Sequence, residues 1–251
     1  MRSFIQLKGG KAEEVKGEVV REQPLVIHVN GQKFVTLLCS PLKLDCLVVG
    51  YLWLEKVIAS LDEIERLDIS EVDGRADVTL TREVELPTER ILTSGCGGGI
   101  TFRIDPRLFP QIRSSLKVRP AQLSERMKDL FAAALHYRAS RGIHGAALSD
   151  ADRLLIVAED VGRHNAVDKI MGEALLKGIP TTDQILLSTG RISSEMLLKA
   201  ARMGVPLVAS RTSPTEMAVG LAEQLGITVV GYLRTESLNV YAGDAVLLDL
   251  R

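Results

Sequence analysis

Cys96 stands in Thr93-Ser94-Gly95-Cys96-Gly97-Gly98-Gly99, a thiol with four glycines among its five-residue neighbourhood. Glycine loses more freedom on ordering than any other residue and readily takes positive φ, so this stretch is a loop. Few side chains can shield the sulfur there, and successive backbone N–H groups can favour the thiolate, the form that reacts. The bland alternative is a buried cysteine acting as a small hydrophobe beside a turn. Zinc is poorly served: three residues on stands Gly99 rather than a second ligand, and Cys39 and Cys46 are distant in sequence. Cys96 is the candidate reactive thiol.

A second set of candidates follows four short apolar runs. These lead into Glu159-Asp160-Val161-Gly162-Arg163-His164-Asn165, Ser188-Thr189-Gly190-Arg191-Ile192-Ser193-Ser194-Glu195, Ser210-Arg211-Thr212-Ser213 and Tyr232-Leu233-Arg234-Thr235-Glu236-Ser237. Each segment carries an arginine. Guanidinium forks and hydroxyls at helix N-termini suit phosphate, which makes Arg163, Arg191, Ser193, Arg211 and Arg234 candidate ligands of a phosphate-bearing molecule. Taken singly, each arginine is equally a solvated charge. His144 and His164 are candidate proton shuttles or satisfied structural histidines. Neither G-x-G-x-x-G nor a Walker loop occurs, which disfavours dinucleotide hydride chemistry and ATP hydrolysis.

The elements that must hold these residues fall into two regions. Pro24–Val29 and Gln32–Leu38 flank Asn30-Gly31, the pattern of a hairpin with a type I′ turn. The charged stretch before it supports at most one edge strand around Val15, Val19 and Val20. Leu42 to Ala59 has helical spacing, and Ile64–Ile69 and Ala76–Leu80 alternate as strands about Asp73-Gly74. Thr101 to Val118, broken by Pro106 and Pro110, reads as a connection. Beyond it, a helix capped by Ser124 precedes apolar strands at 154–158, 184–188, 205–210 and 227–232, separated by helices at 165–177, 193–203 and 215–225. The run at 154–158 reads as a strand buried on both faces, and the segment at His144 as an edge strand. Such alternation predicts a mostly parallel sheet covered by helices, with ligands beyond the carboxyl ends of its strands. The fold expected is α/β: an N-terminal α+β antiparallel module over residues 1–118, ending in the cysteine loop, then a three-layer α/β/α domain over 119–251.

Composition sets outer bounds. The 251 residues are 46% hydrophobic and 25% charged, with a formal net charge of -1, so nothing advertises nucleic acid or an acidic membrane surface. No apolar window has the length of a signal peptide or a membrane helix, and three cysteines do not make a disulfide framework. A soluble, cytoplasmic protein is expected.

With these motifs together, the chain resembles the FdhD family of sulfur carriers required for formate dehydrogenase activity. The resemblance rests on Leu47-Val48-Val49-Gly50-Tyr51-Leu52, the Thr93–Gly97 loop, His144 with Ala146-Ala147, Glu159–Lys169, Ser188–Met196 and Gly231–Arg234. It implies a sulfurtransferase that takes persulfide sulfur from a cysteine desulfurase and passes it to the molybdenum bis(guanine dinucleotide) cofactor of formate dehydrogenase. It further implies a cytidine-deaminase-like second domain and a homodimer in which one subunit's loop serves a shared site. Carried onto this chain, Cys96 is the persulfide carrier. Tyr232, Leu233, Arg234, Thr235, Glu236 and Ser237 map to the cofactor segment, joined by Arg163, His164, Asn165, Arg191, Ser193 and Arg211 for the phosphates of the cofactor or of GDP-like nucleotides. No metal site is implied. Two departures stand out: Gly99 replaces a second loop cysteine common in the family, and Thr235-Glu236-Ser237 replaces its usual Pro-Gly-Arg. The alternative reading is a chaperone that binds the cofactor and performs no chemistry.

Overall fold

A computed structural model describes residues 1–85, 90–92, 100–102, 109–243 and 246–249. The Thr93–Gly99 loop with Cys96 lies outside the described residues.

Helix α1 (Leu44–Leu54) is the hub of the N-terminal half. Nine of its residues are buried, which makes it a helix covered on all sides rather than an amphipathic surface one. One side packs on a four-stranded sheet of order β4-β3-β6-β5, formed by β3 (Gln23–Val29), β4 (Gln32–Cys39), β5 (Ile64–Ser70) and β6 (Arg75–Leu80). Leu25, Ile27, Phe34, Leu47, Val48, Tyr51 and Leu52 are among the residues of this core. The expected hairpin is present, with Asn30 and Gly31 at φ 47 and 79, the left-handed pair a type I′ turn needs. The helix expected over residues 42–59 is shorter, because Lys56 takes φ 63 and turns the chain away.

The other side of α1 lies against α4 (Arg163–Lys177). A Cβ on Gly50 would fall 1.8 Å from the Asp168 carbonyl oxygen, and one on Gly172 would fall 1.9 Å from that of Cys46. The two backbones therefore cross in direct contact, and only hydrogen fits at either position.

The second half is built on a six-stranded sheet of order β10-β9-β11-β12-β13-β14. Its strands are β9 (His144–Ser149), β10 (Leu154–Asp160), β11 (Ile185–Ser188), β12 (Leu207–Ser210), β13 (Thr228–Gly231) and β14 (Asn239–Ala242). Helices α4, α5 (Ser194–Arg202) and α6 (Glu216–Leu225) cover one face. The other face receives α2 (Pro120–Ala133), followed by the short α3 (Leu135–Ser140). Buried strands alternate between the two: Leu186 faces one core, Ile185 and Leu187 the other.

The sheet is mixed rather than mostly parallel. Strand β9 is antiparallel to both β10 and β11, and β14 is antiparallel to β13. Two antiparallel steps restore direction, so β10, β11, β12 and β13 still run the same way and end on one edge. The predicted places of two strands are exchanged. The segment at His144 is an interior strand, while β10 is the edge strand and its burial alternates. Its apolar run does not mark burial on both faces.

Three further local expectations change. Ser124 does not cap α2; Arg119 does, with Pro120 at the first helical position, and Ser124 is buried inside the helix. Residues before 20 form two strands, β1 (Arg2–Lys8) and β2 (Lys11–Gly17), turning at Gly9-Gly10. The connection after residue 100 begins as a strand, β8 (Ile100–Phe102), paired with β7 (Arg90–Leu92).

Candidate functional site

The common edge where β10–β13 end holds two different environments. The first is a buried polar nest. Arg163 and His164 open α4, and Ser193 caps α5 by accepting from the Met196 N–H at 3.4 Å. Nε2 of His164 lies 3.2 Å from Ser193 Oγ and 3.3 Å from Glu195 Oε2. Burial, then the positive charges of Lys199 and Arg163, holds the His164 imidazole down at about 2. Burial pushes the Glu195 carboxyl up to about 7, against the pull of Lys199. The contact is thus a neutral imidazole beside a carboxyl that titrates near neutrality, not an ion pair. His144 is held below its ordinary value by burial and by Arg163. Gly190 admits this crowding: a Cβ there would lie 3.1 Å from both Arg163 Cβ and His144 Nδ1.

Behind the nest, buried charges fasten the two halves together. Asp160 accepts from the Ser40 N–H at 3.1 Å, from Asn165 Nδ2 at 2.9 Å and from Lys169 Nζ at 2.5 Å. Asn165 also donates to the Leu38 carbonyl at 2.8 Å, and Lys169 to that of Ser40 at 3.1 Å. Lys199 pairs with Asp168 at 2.5 Å and Glu55 at 3.5 Å. Burial works against the Lys199 charge, but Asp168, Glu55 and Glu195 outweigh it and keep the ammonium. Asn165 therefore braces β4 against α4.

The second environment is an open cleft of about 490 Å³ between α2–α3 and the ends of β12 and β13. Five cations line it: Lys128, Arg138, Arg141, Arg211 and Arg234, with no carboxylate among the described lining residues. Phe131 and Met127 supply an apolar wall. The Arg211 guanidinium lies over the Phe131 ring at 5.2 Å, and that of Arg141 over the Tyr137 ring at 5.1 Å. Arg234 is locked to the backbone: its side chain donates to the Arg211 carbonyl at 2.5 Å, its N–H donates to the Ser237 carbonyl at 2.7 Å, and its own carbonyl accepts from Ser124 Oγ at 2.9 Å. Burial, then Arg234, lowers the Arg211 guanidinium below its ordinary value, with Arg141 adding to the effect. An anion placed among these groups relieves that repulsion and offers the bidentate geometry guanidinium favours.

Of the residues singled out in the sequence, Arg211, Arg234 and Thr235 line this cleft. Leu233 is fully buried and accepts from Arg211 through its carbonyl at 3.4 Å. Tyr232 is exposed at a left-handed φ of 49. Glu236 and Ser237 are exposed, and Arg191 is exposed at the start of the loop before α5. Arg163, His164 and Ser193 belong to the buried nest. Lys128, Phe131, Arg138 and Arg141 were missed. Their signal was a run of bases at 128, 138 and 141 beside aromatics, in a segment read only as helix. Cys39 and Cys46 are buried, and burial pushes each thiol up to about 12, which leaves neither reactive.

Fold and cleft together define a mixed α/β protein with a cation-lined cleft where co-directional strands end. The chain belongs to the FdhD/NarQ family, whose sequence profile matches residues 20–247. It is 39% identical over 247 residues to the sulfur carrier protein FdhD of Bacillus subtilis, an alignment covering 96% of this chain and 94% of that one. Identity to the protein of the same name from Bacillus pumilus is 44% over 246 residues, again 96% and 94% of the two chains. A crystal structure described as a formate dehydrogenase accessory protein, from Desulfotalea psychrophila, superimposes with a TM-score of 0.81 at 28% identity. That likeness covers 99% of this chain and 98% of the other.

Proposed function

We propose that this protein is a sulfurtransferase serving formate dehydrogenase, with Cys96 as persulfide carrier and the molybdenum bis(guanine dinucleotide) cofactor as sulfur acceptor. The observation that carries the reading is the five-cation cleft with its aromatic wall, on a chain whose relatives are named sulfur carriers. Arg211, Arg138, Arg141 and Lys128 supply charge for a dinucleotide's phosphates, and Phe131 supplies a face for a purine. The same chemistry admits GDP-like nucleotides. The helix-covered C-terminal sheet is in keeping with a cytidine-deaminase-like domain.

In the chemical step, the Cys96 thiolate attacks the outer sulfur of a persulfide on a cysteine desulfurase; the donor's S–S bond breaks, its cysteine leaves as thiolate, and Cys96 becomes the persulfide. The acceptor then supplies an electron pair to the outer sulfur and bonds to it, the S–S bond breaks, and the pair of that bond returns to Cys96 as thiolate. Gly99 leaves no neighbouring thiol to close a disulfide, so the persulfide persists until an external acceptor arrives. The chaperone alternative is favoured by the cleft taken alone, which needs no thiol to bind the cofactor.

Intact-protein mass after incubation with a cysteine desulfurase and cysteine separates the two. Wild type gains one sulfur and Cys96→Ala gains none if Cys96 is the carrier. Wild type without added sulfur sinks the relay. GDP binding lost in Arg211→Ala, with sulfur loading intact, assigns the cleft independently of the thiol.

A further inference from the structure

Arg141 closes the short helix α3 in a conformation that glycine normally supplies. Its φ is 58 and its ψ 3, in the left-handed region, and its N–H donates to the Tyr137 carbonyl at 2.9 Å. Helices commonly end on one left-handed residue, usually Gly or Asn, because a β-carbon is crowded there. A glycine is present, but at the following position, Gly142. Backbone strain of this kind persists where the surroundings impose it, and it clusters at ligand sites. Around Arg141 the surroundings are aromatic. Its guanidinium lies over the ring of Tyr137, four residues earlier, at 5.1 Å. That ring is 5.5 Å from Phe131, centroid to centroid, and Phe131 in turn lies under Arg211. Two arginines of the cleft thus rest on one aromatic pair. Tyr137 is fixed from behind: its N–H donates to Glu159 Oε1 at 2.6 Å, and its ring packs on the core between the sheet and α2. Arg141 lines the cleft, whereas Tyr137 is not among the described lining residues.

We propose that Tyr137 is a positioning residue of the cleft, its ring presenting the Arg141 guanidinium to a phosphate of a nucleoside diphosphate. The inference rests on the reading of the cleft as a phosphate site. Arg141 is exposed, and an exposed arginine on a flexible stem loses rotamer freedom when an anion immobilises it. Cation–π attraction to the Tyr137 ring limits that freedom beforehand and leaves the N–H donors for the ligand. The left-handed backbone at Arg141 sets the direction in which its side chain leaves α3. Strain in the free protein is thereby exchanged for a guanidinium already in place when the ligand arrives.

Calorimetric titration with GDP and urea unfolding, both on the full chain, test this with Tyr137→Leu, Tyr137→Phe, Arg141→Gly and the double variant Tyr137→Leu/Arg141→Gly. Arg141→Gly is expected to weaken GDP binding about tenfold, while its denaturation midpoint stays at or above that of wild type. Tyr137→Leu weakens binding about threefold, and Tyr137→Phe, which keeps a ring beneath the guanidinium, binds as wild type does. In the double variant the Tyr137 exchange adds nothing to the loss from Arg141→Gly, because the ring acts through the guanidinium. A ring that only packs gives additive losses instead, and that result overturns the proposal. So does Tyr137→Phe as weak as Tyr137→Leu, or Arg141→Gly with wild-type affinity or a lower midpoint. Any of these with wild type still binding GDP leaves the phosphate reading of the cleft standing, whereas a wild type that binds no GDP removes that reading and the proposal with it.

Discussion

Glu195 and His164 carry opposite displacements within one hydrogen-bonding distance, and their effect on stability follows from sign. The Glu195 carboxyl is raised to about 7 in the fold, so its contribution is complete at low pH and lost as pH rises through that value. His164, lowered to about 2, works the other way: it contributes above the ordinary imidazole range and the contribution is lost on acidification. Replacing Glu195 by glutamine removes only the first. Relative to wild type, Glu195→Gln is expected to gain on the order of 2 kcal/mol between pH 5 and pH 8 in urea unfolding. A difference independent of pH would refute the raised carboxyl. These side chains were legible in sequence as members of a polar loop, but their burial was not. Arginine, histidine and serine after an apolar run read the same whether they line a cleft or close the space behind it.

At the level of elements, the α1–α4 crossing is set by Gly50 and Gly172. A methyl group at Gly50 meets a carbonyl oxygen rather than a flexible side chain, so the helices must part. Gly50→Ala is expected to cost about 3 kcal/mol or more, read as a lower denaturation midpoint at unchanged slope. A loss below about 1 kcal/mol would show that the helices can separate without strain. The helices, the Asn30-Gly31 hairpin and the four co-directional strands were visible from period and turn residues, because those signals are local. The exchange of β9 and β10 was not, since strand order depends on which edges meet. The apolar residues of β10 look interior, yet they alternate between a packed face and a partly open one.

For the whole molecule, the buried bonds of Asp160, Asn165, Lys169 and Lys199 all reach from the second half to residues 38–55. The modules at 1–118 and 119–251 are accordingly expected to unfold together. Calorimetry should give one transition with matching van't Hoff and calorimetric enthalpies, whereas two resolved transitions would show independent domains. The described residues also include no helix long and apolar enough to cross a membrane.

Sequence alone determined the reactive-thiol candidate, the placement of arginines after successive strands and the family resemblance, because each depends on residue type at short spacing. Tertiary structure decided which arginines share a space. It sent Arg163 into a buried nest and brought Arg211 and Arg234 together with Lys128, Arg138 and Arg141 from a distant helical segment. Charge convergence of that kind depends on how α2 and α3 pack across the sheet, and contacts between residues about 70 to 110 positions apart leave no periodic trace in the chain.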